Sequence, residues 1–337
     1  MKVALIALLV LAGNAAAQNC DLGLQCLNDG GNKSCGSGCY CGEYGERFHR
    51  QFGCMPIPTP APPTPAPATC GGDCTNDASA CRSGCKCADI GGGLRACEAE
   101  YLPKKVDWRG TLVVESEWFD QGQCASDWAI SYAETLAAQW FRSGRSHHAT
   151  VQSLSAQQLM SCWPGPQGSP CDGPGGYDSF PDAMSNLTAW IKSALGGKVT
   201  TNASYPYNGA NPQGVPCYTN DTKLPVGAIV DGWHNIPGGE LALQQFVANR
   251  GPAQILVDGT QFEFWEAGQP PINQPCNQPD HAVLVVGYDE TASPPYWIVK
   301  NSWGASWGDN GYVTIAMWTG SCCMGQISGS AMVNGGP

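Results

Sequence analysis

A chain of 337 residues with 43 Gly, 26 Pro and 19 Cys, yet only 13% charged residues, has room for one full-sized domain beside smaller modules. A formal charge of −11 argues against nucleic acid as a partner. Disordered tails would carry more charge, so the composition reads as a loop-rich, cross-linked secreted protein.

Met1-Lys2 precedes the apolar run Val3 to Ala12 and the small residues Ala15-Ala16-Ala17. A positive start, a short apolar core and a small-residue cut predict a signal peptide over 1–17. That run is too short to span a bilayer and no later stretch is longer, so no membrane partner is expected. The predicted location is extracellular, or the endo-lysosomal lumen. Four sequons, at Asn32, Asn186, Asn202 and Asn220, fit this route.

Residues 18–54 hold six cysteines (Cys20, Cys26, Cys35, Cys39, Cys41, Cys54) and residues 70–98 hold six more (Cys70, Cys74, Cys81, Cys85, Cys87, Cys97). Both sets contain C-x3-C-x-C, so they read as a tandem repeat. Neither is large enough for an apolar core, and cross-links must hold the shape. The spacing resembles knottin-type domains, and that resemblance implies pairing of first with fourth, second with fifth and third with sixth. Modules of this kind suit a carbohydrate or protein partner. In a secreted chain their cysteines form disulfides in preference to zinc sites. Between them, residues 55–69 are proline-rich and predict a semi-rigid polyproline spacer.

A large domain is predicted over 101–337. Helices are expected at Asp127–Arg142, where Trp128, Ile130, Ala133, Leu136, Ala137 and Trp140 can share a face, at 155–161, and at 179–194. Past Val226 the pattern changes to short strands separated by Gly/Pro turns, at 254–257, 282–288, Tyr296–Lys300 and 311–317. Helices followed by strands imply an α+β fold with a cleft between the halves. His49, His147, His148 and His234 read as surface residues, and His147-His148 lacks further ligands at useful spacing. No metal and no cofactor is expected.

Three blocks in this domain carry chemistry. Asp120-Gln121-Gly122-Gln123-Cys124-Ala125-Ser126-Asp127-Trp128-Ala129 runs from a loop into a helix start. Downstream come Asp280-His281-Ala282-Val283 and Tyr296-Trp297-Ile298-Val299-Lys300-Asn301-Ser302-Trp303-Gly304. With Leu102-Pro103 to Arg109 at the front, they resemble, in order, the mature start, nucleophile loop, histidine strand and asparagine block of the papain family of cysteine peptidases. The resemblance covers 102–337 and implies a two-lobed domain, a helical lobe beside an antiparallel β-barrel lobe. It also implies disulfides Cys124–Cys171, Cys162–Cys217, and Cys276 with Cys322 or Cys323. One of that vicinal pair is left over, as a non-catalytic thiol. The family's helical inhibitory prosegment is not recognisable between Ala17 and Tyr101.

In that family a thiolate at a helix N-terminus attacks the peptide, aided by an imidazolium that lowers the thiol pKa. The resemblance gives His281 the imidazole, Asn301 its orientation and Trp303 its shielding. Gln121, with the backbone N–H of residue 127, supplies the oxyanion donors. Gly175-Gly176-Tyr177 resembles the ledge that pairs with an extended substrate, and Asp280 adjoins the histidine. The departure is Asp127, which stands where the family has cysteine. A carboxylate there suits a helix's first turn and an ion pair with His281, but it is a poor nucleophile toward an amide. The favoured expectation is therefore a secreted, monomeric pseudo-peptidase that binds a peptide or protein segment uncut. The alternatives are an active endopeptidase or esterase with a non-standard site, and an extracellular structural or binding protein.

Overall fold

The computed structural model describes residues 39–44, 51–56, 81, 85–91, 94–99 and 102–333, the last without 112, 115–116, 147, 149, 166–169, 174–178, 210, 212–213 and 219–223. The signal-peptide segment, the sequons at Asn32 and Asn220, and Gly175-Gly176-Tyr177 lie outside the described residues. Two compact units divide the chain, Met1–Thr64 and Pro65–Pro337.

In the first unit, β1 (Cys39–Tyr44) pairs antiparallel with β2 (Gln51–Pro56), placing Cys41 opposite Cys54. In the second, β3 (Cys85–Gly91) pairs with β4 (Leu94–Ala99), placing Cys87 opposite Cys97. The repeat read from the spacing thus has the same register in both copies, the C-x-C strand facing the last cysteine. A disulfide joins Cys81 to Cys97, the third and sixth cysteines of the second set. Such links constrain the unfolded chain where no core can form.

Beyond these lies the large α+β domain. Its elements are β5 (Lys105–Asp107), α1 (Asp127–Arg142), α2 (Ala156–Cys162), α3 (Phe180–Leu195), β6 (Lys198–Val199), β7 (Ala228–Ile229), β8 (Gly232–Asn235), α4 (Gly239–Arg250), β9 (Ala253–Val257), β10 (His281–Asp289), β11 (Tyr296–Lys300), β12 (Tyr312–Ala316) and β13 (Ile327–Met332). The main sheet runs β12-β11-β10-β9-β13-β8, with β5 added on β10. Strand β10 is its centre. It pairs β9 through His281–Val285, β5 through Gly287–Asp289 and β11 along its other edge, and all nine of its residues are buried. Only glycine fits at 287, because a Cβ would run into the Val106 carbonyl.

One core lies under the three helices, built on Trp128, Ile130, Leu136, Leu159, Met184 and Leu187. The other lies against the sheet, built on Val247, Ile255, Val283, Trp297, Val313 and Ile315. The predicted helix Asp127–Arg142 is found with those bounds. It differs in one respect: every residue from Asp127 to Ala138 is buried, so it has no polar outer face along that length. The helix is sandwiched between α2 and the strands β7, β9, β10 and β13. Fully buried Ile130 and Leu136 each contribute about 1.5–3 kcal/mol relative to exposure. The sequence missed α4, whose Leu241 is 55% exposed and whose apolar residues make no clean stripe. His234 is half-buried against Phe246, with ring centroids 5.9 Å apart, and does not lie free on the surface as expected. Among the described residues no helix is long and apolar enough to cross a membrane.

Candidate active site

The N-terminus of α1 points at the start of β10. The loop before it is fastened by the Cys124–Cys171 disulfide and by Gln121 N–H donating to Ser302 O at 2.8 Å. Ser126 precedes the helix but does not face the site: its Oγ lies 2.7 Å from Tyr207 Oη, and that hydroxyl also reaches Gln121 O at 3.0 Å. One phenol thereby ties together the two segments that carry Gln121 and residue 127, a role the sequence did not reveal.

Asp127 is buried, and both of its carboxylate oxygens have donors. Oδ1 accepts from the Trp128 N–H at 2.8 Å, satisfying one of the helix's orphan donors. Oδ2 lies 2.7 Å from His281 Nδ1 and accepts from the Ala282 N–H at 2.8 Å. On the other side of the ring, His281 Nε2 is 2.7 Å from Asn301 Oδ1. The Ser302 N–H also donates to that oxygen at 2.8 Å, which fixes the amide's orientation. Both ring nitrogens therefore face acceptors, and only the imidazolium can donate from both. The pair is an imidazolium–carboxylate ion pair removed from water.

Burial works against the charged ring, but the hydrogen bond and charge of Asp127, then Asn301 and Asp280, outweigh it and raise the His281 pKa above its ordinary value. A histidine whose folded pKa is raised contributes stability that is complete below its unfolded value of about 6.5 and fades as pH rises through the folded value. Chemical denaturation measured from ~pH 6 to ~pH 9 should therefore show stability falling with pH, and Asp127→Asn should flatten that dependence.

Aromatic rings enclose the histidine. Trp303 lies 5.2 Å from the imidazole at a 31° tilt, Phe262 meets it edge-on at 5.9 Å, and Trp307 packs on both. The predicted shielding tryptophan is thus over the ring, and Phe262 is an added member the sequence did not single out. Asp280 is exposed and accepts from the Gly259 N–H at 2.8 Å, holding the turn that runs beside His281. A Cβ on Gly259 would come within 3.0 Å of His281 Cβ, so that turn is built for close approach. Gln121 Oε1 accepts from Ser302 Oγ at 2.5 Å, and its Nε2 donates to Cys124 O at 3.0 Å.

Two buried cross-ties hold α1 to the sheet. Gln254 on β9 donates through Nε2 to Trp128 O at 2.9 Å and to Ser131 Oγ at 2.7 Å. Lys300, the residue before Asn301, places Nζ 2.5 Å from Glu134 Oε1, 3.1 Å from Glu117 O and 4.9 Å from the centre of the Trp118 ring. Burial pushes the Glu134 carboxyl above the usual carboxylate range, with Lys300 pulling it back.

The three disulfides of this domain are Cys124–Cys171, Cys162–Cys217 and Cys276–Cys323. Cys323 is the member of the vicinal pair that bonds Cys276, and Cys322 is the free one. Burial pushes the Cys322 thiol up to about 11, so it stays protonated and inert as a nucleophile. Among the described residues no group of His, Cys, Asp or Glu side chains could hold a metal ion.

A helix N-terminus facing a strand-borne histidine, itself oriented by an asparagine and roofed by a tryptophan, is the framework of a cysteine-peptidase homologue. The chain belongs to the papain family: residues 102–332 match the family model described as papain family cysteine protease. It is 38% identical over 233 residues to a cysteine proteinase of Trypanosoma brucei brucei, covering 68% of this chain and 47% of the relative. With cathepsin L of Sarcophaga peregrina it shares 36% over 220 residues, covering 64% and 59%. The chain thus spans about half the length of the trypanosome protein. Among solved structures, procathepsin L 3 of Tenebrio molitor larval midgut superposes with a TM-score of 0.57 at 29% identity, covering 69% and 71%. The bromelain protease of Ananas comosus, in complex with the E64 inhibitor, gives 0.57 at 27%, covering 69% and all of that chain.

Proposed function

We propose that this protein is a secreted papain-family pseudo-peptidase, which binds an extended peptide or protein segment in its cleft and does not cut it. The observation that carries this reading is the Asp127 carboxylate. It stands at the start of α1 with hydrogen-bond donors on both oxygens and a charged imidazole against one of them. Attack by such a carboxylate on an amide would break the ion pair and give an anhydride, an uphill product that a thiolate avoids. The only free cysteine among the described residues, Cys322, is buried and protonated, and it does not substitute. The oxyanion donors and the oriented histidine remain as a cradle for a backbone carbonyl.

The domain plan in this reading is a signal peptide over 1–17, knottin-like modules over 18–54 and 70–98 joined by the 55–69 spacer, and the peptidase-like domain over 101–337. The third-to-sixth link Cys81–Cys97 supports the knottin pattern. The modules bring a carbohydrate or protein partner to the cleft domain, which acts as a monomer.

The direct test is to assay the purified full chain against fluorogenic peptide and ester substrates from ~pH 4.5 to ~pH 8, with and without thiol. Calorimetric titration with an extended peptide library should run in parallel. Saturable binding without turnover is the expected result. Turnover that His281→Ala abolishes would discard the pseudo-peptidase reading, and absence of binding to any peptide would discard the cleft-binding one.

A further inference from the structure

Two of the sequons fall on described residues, and the fold treats them in opposite ways. Asn202 is only 7% exposed, and both ends of its amide hold structure. Nδ2 donates to Glu117 Oε1 at 2.9 Å and Oδ1 accepts from the Tyr207 N–H at 3.0 Å. Tyr207 is the residue whose hydroxyl braces the site. A sugar on that nitrogen would need solvent where the side chain is enclosed, and it would disturb Tyr207.

Asn186 lies on the outer face of α3. The buried stripe of that helix is Phe180, Ala183, Met184, Leu187, Thr188 and Ile191, while Asp182, Asn186, Ala189 and Ser193 are exposed. The exposed neighbours one turn away are small or short, leaving room for a bulky substituent. Trp190 is four residues beyond Asn186, partly buried against the helical core. Helical side chains lean toward the N-terminus and residues four apart share a face, so position 190 is the one that covers the turn carrying Asn186.

We propose that Asn186 carries an N-linked glycan whose first sugar packs on Trp190, and that Asn202 is unmodified in the folded protein. The donor is a lipid-pyrophosphate-linked oligosaccharide of the secretory route. Asn186 Nδ2 bonds to the anomeric carbon and gives up one proton, while the bond from that carbon to the pyrophosphate oxygen breaks and the lipid pyrophosphate leaves with the electron pair. Transfer precedes folding, because the Thr188 hydroxyl of the sequon is buried in the native state, so Asn202 is kept bare by selection: a chain with a sugar there cannot enclose that side chain and drops out of the folded fraction. There it lies 2.6 Å from Tyr132 Oη and 2.9 Å from Met184 O. The sugar then settles against an indole face that amphipathic rings favour.

The experiment is to secrete the full chain from a eukaryotic host, collect the soluble folded fraction, and map glycopeptides by enzymatic deglycosylation in heavy-oxygen water. Label at Asn186 and none at Asn202 is expected. An unlabelled Asn186, or a labelled Asn202 in the folded fraction, overturns the assignment. The packing part is read from thermal melts of the glycosylated protein, of Asn186→Gln, and of both in a Trp190→Leu background that keeps an apolar side chain against the core. Loss of the glycan should lower Tm by about 2–4 °C with Trp190 present and by much less with leucine. Equal shifts in the two backgrounds overturn the role of Trp190.

Discussion

Replacing Asp127 by cysteine turns on thiol-dependent peptide cleavage. The substituted Sγ occupies the place of the carboxylate carbon at the N-terminus of α1, beside a histidine whose Nδ1 is 2.7 Å from Asp127 Oδ2 in the native protein. The helix end and the imidazolium both favour the thiolate. The remaining parts are already aligned: Asn301 orients the ring, Trp303 covers it, and Gln121 is held by Ser302 Oγ. Loss of a nucleophile typically removes several orders of magnitude of rate, so restoring one should raise turnover at least ~10³-fold over the native chain. The measurement is hydrolysis of a fluorogenic peptide by Asp127→Cys with and without a thiol alkylator, and by the double variant Asp127→Cys, His281→Ala. Activity blocked by alkylation and absent from the double variant is the expected pattern. A folded single variant with turnover no higher than that of the native chain would count against Asp127 as the residue that keeps the cleft from cutting.

Breaking the Glu134–Lys300 pair should be strongly destabilising. The two side chains are 5% and 1% exposed, so removing either leaves the other's buried charge without its counter-ion. Such losses cost about 3–5 kcal/mol, which corresponds to a drop in Tm on the order of 10 °C for a domain of this size. Glu134→Ala tests this by thermal melting of the full chain. The double change Glu134→Leu, Lys300→Met should recover most of the loss, because it removes both charges and keeps apolar volume. The pair also matters to the site. Glu134 is seven residues, about two turns, along α1 from Asp127, and Lys300 precedes Asn301. It therefore ties the helix that carries Asp127 to the strand that leads into Asn301. If the single variant melts as the native protein does, that anchoring role is wrong.

The remaining contrast between sequence and structure has a physical basis. The bounds of α1, the strand Tyr296–Lys300 and the histidine strand were legible, because apolar periodicity and the Gly/Pro turns around them are local signals. The helix α4 was not, since it starts at Gly239 after a left-handed Gly238 and carries exposed Leu241 among its apolar residues. Tyr207, Ser302, Phe262 and Gln254 were passed over for a different reason. Each acts through a partner 19 to 181 residues away, and nothing beside them in the chain announces that partner. Lys300 gave a faint local sign, a lone cation ending an otherwise apolar strand, which is costly unless it is paired.

By itself the sequence determined the family scaffold, the order of its blocks, and the presence of a carboxylate at position 127 in the block that leads into α1. Chain-local pattern and residue identity are enough for that. Only the tertiary structure decided that both oxygens of Asp127 are occupied, that His281 is charged between two acceptors, and that Cys323 takes Cys276 while Cys322 is sealed away. Hydrogen bonds and burial depend on which distant segments meet, and that meeting is made by the packing of α1 against β10.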